Sequence, residues 1–377
     1  MIFVSDLPGS SPLALIDLSA LRHNYSRIVS LVGPTTAVLP MVKADAYGHG
    51  AVAVGRVLKD CGCSGLGVAT LAEAAELREA LGEVRIVVFG GILPDEATRA
   101  VALGVEVAVY DPELVTALDA EALAAGAEVA VHIKVDTGMR RLGVEPADVA
   151  GFAELIANCR GLRPVALCSH FACAESVSDE VTRGQLETLK TARTVLGAGG
   201  TDLVCHLANS AAILSRPETH LDMVRPGLML YGLFPDPGLA ALADLRPVMT
   251  LLARIIRIAD VGPDQGIGYG HSYRTGTRSR IATLRLGYAD GYPRALSNLG
   301  EALVGGQRVA VVGRVSMDHL MVDITGLGGA AVGDEVTMWG AGLAVEEVAG
   351  RAETIPYELV ARVGRRVQRL YREEGET

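Results

Sequence analysis

The sequence predicts an α/β fold in two parts: a (β/α)8 TIM-type barrel over residues 1–246, then a smaller, mostly β domain over residues 247–377. Two observations carry this. From about residue 36, short runs rich in Val, Ile and Leu alternate with Ala/Glu/Leu/Arg stretches of helical character, and there are eight such runs. After Tyr231 the rhythm stops, and glycine-punctuated strand patterns replace it.

In order, the eight runs are "TAVLPMV", "GLGVAT", "VRIVVFG", "VEVAVY", "VAVHIKV", "PVALCSH", "LVCHLA" and "MVRPGLMLYG". Their near-continuous hydrophobicity is what a parallel strand covered on both faces requires. Eight strand-helix units in roughly 200 residues is the count of a TIM-type barrel. A doubly wound open sheet competes with it, but no early GxGxxG supports that fold. Beyond the proline-marked "GLFPDPGLAALADLRP", the runs "VMTLLARIIRIAD", "RIATLRLGYADG", "RVAVVGRVSMDHLMVDI" and "DEVTMWG" read as strands broken by glycine turns. Two short helices are expected near "VEEVAGRA" and "PYELVARVGRRV".

Composition narrows the function. Half of the 377 residues are hydrophobic, enough for a large core. A net charge of -10 argues against nucleic-acid and anionic-membrane partners. No run approaches the roughly 20 apolar residues of a membrane span. The start lacks the pattern of an export signal, and the six cysteines show no CxxC spacing, so reduced thiols and a cytoplasmic location are expected. Lysine is scarce: only Lys43, Lys59, Lys134 and Lys190 occur among 34 basic residues.

A barrel places its reactive groups at the C-terminal ends of its strands. Lys43 ends the first run, "DTGMRRLG" with Asp136, Arg140 and Arg141 follows the fifth, and His170 ends the sixth. Asn209 and Ser210 follow the seventh, and Arg225 lies in the eighth. Singly, each has a plainer reading: Lys43 a loop lysine, His170 a satisfied core histidine, "GPDQGIGYGHSYRTG" a glycine-rich hairpin. His206 beside Cys205 and the segment "CSHFAC" invite a metal, yet the three or four ligands of a zinc site are not in evidence, so no metal is expected. Together, a barrel-mouth lysine with arginines, a histidine and hydroxyl and backbone donors suits pyridoxal 5'-phosphate, held through the lysine amine. Ser210, Tyr47 and the turn at Gly227 can serve its phosphate.

"MVKADAYGHG" closely resembles the cofactor-attachment motif of the alanine racemase family. "KVDTGMRRLG", "SHFACAE", "HLANSAA", "VRPGLMLYG", "IGYGHSY", "LGYADGY" and "GRVSMDHLMVDI" resemble further segments of that family in the same order, over nearly the whole chain. The resemblance implies interconversion of L- and D-alanine, supplying D-alanine for peptidoglycan, in a homodimer with shared active sites. It implies that Lys43 carries the cofactor and is one of two bases. Tyr269, from the partner subunit, would be the other, on the opposite face of the substrate. Arg225 would bond the pyridine nitrogen, Arg141 would lie near the phenolic oxygen, and His170 beside the ring. Tyr47, Ser210, Gly227 and Leu228 would surround the phosphate, and Asn209 would also bind the cofactor. Met317 and Arg141 would meet the substrate carboxylate, Tyr288 and Arg294 would line the entrance, and Lys134 matches a lysine carbamylated in some members.

Inverting Cα needs a proton removed from one face and returned to the other, hence two bases. An arginine at the ring nitrogen does not readily give up a proton, so the ring stays a weaker electron sink and side reactions are held back. Three departures stand out. Arg140 adds positive charge near the mouth, Ser316 replaces a common cysteine, and Arg365 and Gln368 alter a C-terminal segment in which some relatives carry a tyrosine near the phosphate. The competing readings are a serine or broad-specificity racemase of the same fold, a related decarboxylase with an acid at the ring nitrogen, and a non-catalytic pyridoxal-phosphate carrier. The arginine of "VRPG" opposes the second, and residues 247–377 oppose the third.

Overall fold

In the computed structural model, which describes residues 11–175, 179–197 and 203–373, the eight apolar runs form eight short parallel strands. After a leading strand β1 (Leu13–Asp17) these are β2 (Ala37–Val38), β3 (Leu66–Val68), β4 (Ile86–Val88), β5 (Glu106–Val109), β6 (Val129–Lys134), β7 (Leu162–Cys168), β8 (Val204–His206) and β9 (Met223–Val224). Each pairs with its neighbour in sequence order, β2 pairs with β9, and a parallel bridge from Met41 to Gly67 joins β2 to β3, closing the barrel. Helices cover the outside, with their starts fixed by side chains. Asp17 accepts from the Ala20 N–H, Thr70 and Glu73 make a reciprocal capping box, and Asp111 caps a helix opened by Pro112. Among the described residues no helix is long and apolar enough to cross a membrane.

The eighth run is shorter as a strand than its hydrophobicity suggests. Pro226 has no N–H for a ladder, and Leu228–Tyr231 coils into a 3-10 turn.

The remainder is mostly β: β10 (Met249–Val261), β11 (Gly266–Ile267), β12 (Tyr273–Arg274), β13 (Ser279–Leu284), β14 (Glu301–Val304), β15 (Gln307–Val312), β16 (Leu320–Asp323), β17 (Glu335–Trp339) and β18 (Gln368–Arg372). The thirteen-residue β10 pairs with β1 and β17 along its first half and with β13 along its second. The expected helices occur at Val345–Arg351 and Pro356–Ala361. The division at residue 246 needs one amendment: β1 is hydrogen bonded between β10 and β18, so the first described strand belongs to the second sheet. The segment read for an export signal lies partly outside the described residues, at positions 1–10.

Asn24, fully buried on helix Leu18–Val32, ties the barrel to the connection that leaves it. Its amide donates to Leu230 O (2.9 Å) and Arg246 O (2.8 Å) and accepts from Arg246 N (2.8 Å). Asn24→Ala strands three backbone groups at once and is expected to destabilise the chain by about 3 kcal/mol, read from urea unfolding.

Candidate active site

A cavity of about 540 Å³ opens at the C-terminal ends of the barrel strands. Lys43, Tyr47, Lys134, Arg141, His170, Asn209, Ser210, Arg225, Gly227 and Leu228 all line it. Residues scattered over nearly two hundred positions meet there because parallel strands end on one face.

Lys43 does not end a strand directly. Beyond Val38 the ladder continues as single bonds, Leu39 N to Val224 O (2.9 Å), Met41 N to Pro226 O (2.8 Å) and Val42 N to Gly67 O (2.8 Å), and Lys43 then opens a turn. Residues 44–47 all adopt left-handed helical angles, with φ of 52° to 54°. For Ala, Asp and Tyr this costs roughly 1–2 kcal/mol each, so neighbouring groups must hold the turn. Glu73 accepts from the Ala44 N–H (2.7 Å), Asp45 accepts from the Ala51 N–H (2.8 Å), and the His49 ring bonds Ala46 O (3.0 Å) and Tyr47 O (2.9 Å). That ring is fully buried, which pushes its pKa down to about 4, so it stays neutral. From the second domain, Arg369 donates to Gly48 O (3.2 Å). Gly48 has φ +82°, and a Cβ there would lie 2.0 Å from Val360 O, so the helix Pro356–Ala361 packs directly on the turn.

The Lys43 side chain counts as exposed because the cavity it lines is open, yet protein surrounds the amine. Desolvation lowers its pKa, the cations Arg141 and Arg225 lower it further, and Glu73 partly offsets them. The buried Lys134 amine is lowered too, first by burial, with Cys168 opposing and Arg225, Arg141 and Lys43 adding to the fall. Burial, then Arg225 and Arg141, hold His170 well below the ordinary histidine value, so it is neutral. Its carbonyl accepts from Gln185 (3.0 Å), which fixes the chain after β7.

Arg225 is buried beside this cluster. It donates to His206 Nδ1, to Ser169 O (2.6 Å) and to Leu207 O (3.3 Å). Of the five N–H donors on a guanidinium, these bonds leave the Nε–H and one Nη1–H. Elsewhere on the cavity wall, Ser210 Oγ accepts from Gly227 N (3.0 Å) and Met229 N (3.3 Å), and a Cβ on Gly227 would sit 2.5 Å from the Tyr47 hydroxyl. Asn209 shapes this side by capping the helix that follows, accepting from Ala212 N (3.1 Å).

Two departures resolve locally. Arg140 adds no unbalanced charge, since its Nη1 lies 2.5 and 2.7 Å from the two Glu145 oxygens. Arg365 is exposed, but Tyr357 lines the cavity with its ring centroid 6.2 Å from that of Tyr47, so a tyrosine stands at this end of the site. Sequence reasoning missed Tyr357 and also Phe89, which ends the third run and lines the cavity. The available signals were an aromatic residue at a strand end and one following a helix-opening proline.

Four expected site residues do not line the cavity. Tyr269 and Met317 are 72% and 52% exposed on the second domain. Tyr288 and Arg294 line a separate depression with Glu358 and Arg362.

The family model described as the alanine racemase N-terminal domain matches residues 16–235, and that of the alanine racemase C-terminal domain matches residues 248–371. An alanine racemase of Desulfovibrio desulfuricans is 44% identical over 360 residues, covering 95% of this chain and 97% of that protein. Among solved structures, an alanine racemase of Clostridium difficile 630 superposes with a TM-score of 0.94 at 35% identity, covering 98% of each chain. One of Bartonella henselae, solved with covalently bound pyridoxal phosphate, gives 0.89 at 29% identity over 97% of this chain and all of that one. With both domains matched and the likeness running almost end to end, this chain belongs to the alanine racemase family.

Proposed function

We propose that the chain interconverts L- and D-alanine with pyridoxal 5'-phosphate held at the barrel mouth. The observation that carries this reading is the pairing, in one cavity, of a lysine whose amine is shifted toward its neutral form with a buried arginine that keeps two N–H donors in reserve. The donor set fits the cofactor: an amine for its aldehyde, an arginine for its ring nitrogen, and a cradle at Ser210 and Gly227 whose room a Cβ would fill. When bound, the cofactor supplies an electron sink that acidifies the α-proton of alanine.

The protein's residues do the rest. With the cofactor bound, Tyr47, Ser210, Gly227 and Leu228 would hold its phosphate end, Asn209 would add a further contact, His170 would lie beside the ring, and Arg225 would withhold a proton from the ring nitrogen. Arg141 would face the phenolic oxygen and, with Met317, the substrate carboxylate. Lys43 takes or returns the α-proton on one face. Tyr269 of the partner subunit serves the other, and Tyr288 and Arg294 line the way in. The exposure of Tyr269 and Met317 on the single chain supports a homodimer in which each subunit completes the other's site. Lys134, with its lowered pKa among Arg141, Arg225 and Lys43, suits carbamylation: the neutral amine adds carbon dioxide and releases a proton, leaving an anion to pair with Arg141.

The test is a chiral assay of D-alanine and D-serine formed from the L-amino acids, with α-proton exchange followed in deuterated water. D-alanine should form faster than D-serine. Cofactor binding without exchange would refute the racemase reading. Gly227→Ala probes the cradle. Its Cβ would press on a Tyr47 ring already packed 5.1 Å from Tyr231. Cofactor affinity should fall about tenfold or more, as measured by titrating the apoprotein.

A further inference from the structure

Arg225 is buried, and among the described residues no carboxylate pairs with it directly. Its Nη1 donates to His206 Nδ1; His206 Nε2 lies 2.9 Å from His132 Nδ1; His132 Nε2 lies 2.7 Å from Glu106. Glu106 in turn takes two bonds of 2.8 Å from Arg85, a bidentate pair at the partly exposed opposite end of the barrel. Both imidazoles are fully buried, and Phe89 meets each edge-on at 5.7 and 5.9 Å, walling them from the cavity.

Only one proton arrangement satisfies this chain. A guanidinium can only donate, so His206 Nδ1 must be bare and Nε2 must carry the proton. His206 therefore donates to His132, whose Nδ1 must be bare and whose Nε2–H must point at Glu106. Every donor faces the same way, from the cation at the mouth to the carboxylate at the floor. Burial keeps both imidazoles neutral. For Glu106, burial alone would raise the pKa, but the bonds from His132 and Arg85 outweigh it and hold it at about 2.

We propose that His206, His132 and Glu106 are positioning residues, a one-directional hydrogen-bond relay that locks the Arg225 guanidinium in place from the far end of the barrel. This rests on the reading of Arg225 as the partner of the ring nitrogen. With the relay broken, the guanidinium keeps only its bonds to Ser169 O and Leu207 O, its Nη1 end is freed, and water gains access to that nitrogen. Protonation then makes the ring a stronger electron sink and favours transamination, in which alanine's amino group passes to the cofactor and pyruvate leaves.

The experiment has two arms on the cofactor-loaded protein. Nitrogen-15 NMR of histidine-labelled protein should show His132 and His206 each with bare Nδ1 and protonated Nε2, unchanged across the neutral pH range. The reverse tautomer at either residue would overturn the relay. In the second arm, His132→Phe and Glu106→Leu should each lower kcat roughly tenfold, leave KM for alanine nearly unchanged and raise pyruvate formed per D-alanine. His132→Gln, whose amide offers one acceptor and one donor, should recover most of the loss. A folded Glu106→Leu protein with wild-type kcat and pyruvate ratio would overturn the proposal, and the tautomer arm decides the matter if neither variant folds. A wild-type protein with the expected tautomers but no racemisation would instead sink the functional reading and leave the relay standing.

Discussion

Lys43→Ala is expected to abolish the near-ultraviolet and visible band of the bound cofactor and to lower racemisation by roughly 10³-fold or more. On the proposed reading of the site, it removes the covalent anchor and one of the two bases together. No other lysine can substitute without rearrangement. Lys134 is the only other lysine lining the cavity, and it is buried at the end of β6 rather than carried on the turn that presents Lys43. The sign of the pKa shift adds a second expectation. Desolvation first, then Arg141 and Arg225, lower the Lys43 pKa, so the bare amine forms at a pH below the ordinary lysine value of about 10.4. The rate of cofactor uptake by the apoprotein should therefore rise with pH and level off below that value. Arg141→Gln removes one neighbouring cation and should move the midpoint upward. A midpoint that stays at the ordinary value in both proteins would refute the electrostatic account of this amine.

The left-handed turn after Lys43 shows where sequence reasoning runs out. The eight barrel strands were legible because strands covered on both faces are apolar without interruption, and that pattern is local. "KADAYG" contains nothing that marks four successive residues for positive φ. The conformation is set by Glu73, 29 residues away from Ala44, and by Arg369, more than three hundred residues from Gly48. Strand β1 was hidden for a related reason: "LALID" runs straight into a helix and reads as part of the barrel, while its partners lie in β10 and β18. β18, "QRLYR", is an edge strand too polar to announce itself.

The same distinction divides the site. Lys43, Arg141, His170, Ser210 and Arg225 could be gathered from strand ends alone, since barrel topology alone sends those ends to one mouth. His132 carries no signal of its own within its apolar run, and His206 beside Cys205 invites only a metal that is not expected. That their satisfaction comes from one another and from Arg225 depends on side chains meeting across the barrel interior, which no local pattern reveals.

Tyr269→Phe should retain the cofactor band and lower racemisation by about 10²- to 10⁴-fold. Because L- and D-alanine have equal free energies in an achiral solvent, kcat/KM must fall equally in both directions. The asymmetry should appear instead in α-proton exchange: the enantiomer served by Lys43 should still exchange in deuterated water without racemising, and the other should not. Full racemisation by Tyr269→Phe would refute the two-base assignment. Which subunit supplies the tyrosine can be read by mixing two inactive proteins. In a heterodimer of Lys43→Ala with Tyr269→Phe, a tyrosine donated across the interface gives one site with both lesions and one site with neither. Random pairing makes half the dimers mixed, so about a quarter of wild-type activity should return. If Tyr269 served its own subunit, every site would lack one base, and mixing would restore nothing. The exposed position of Tyr269 on the isolated chain favours the first outcome, since it lies outside the cavity that Lys43 lines.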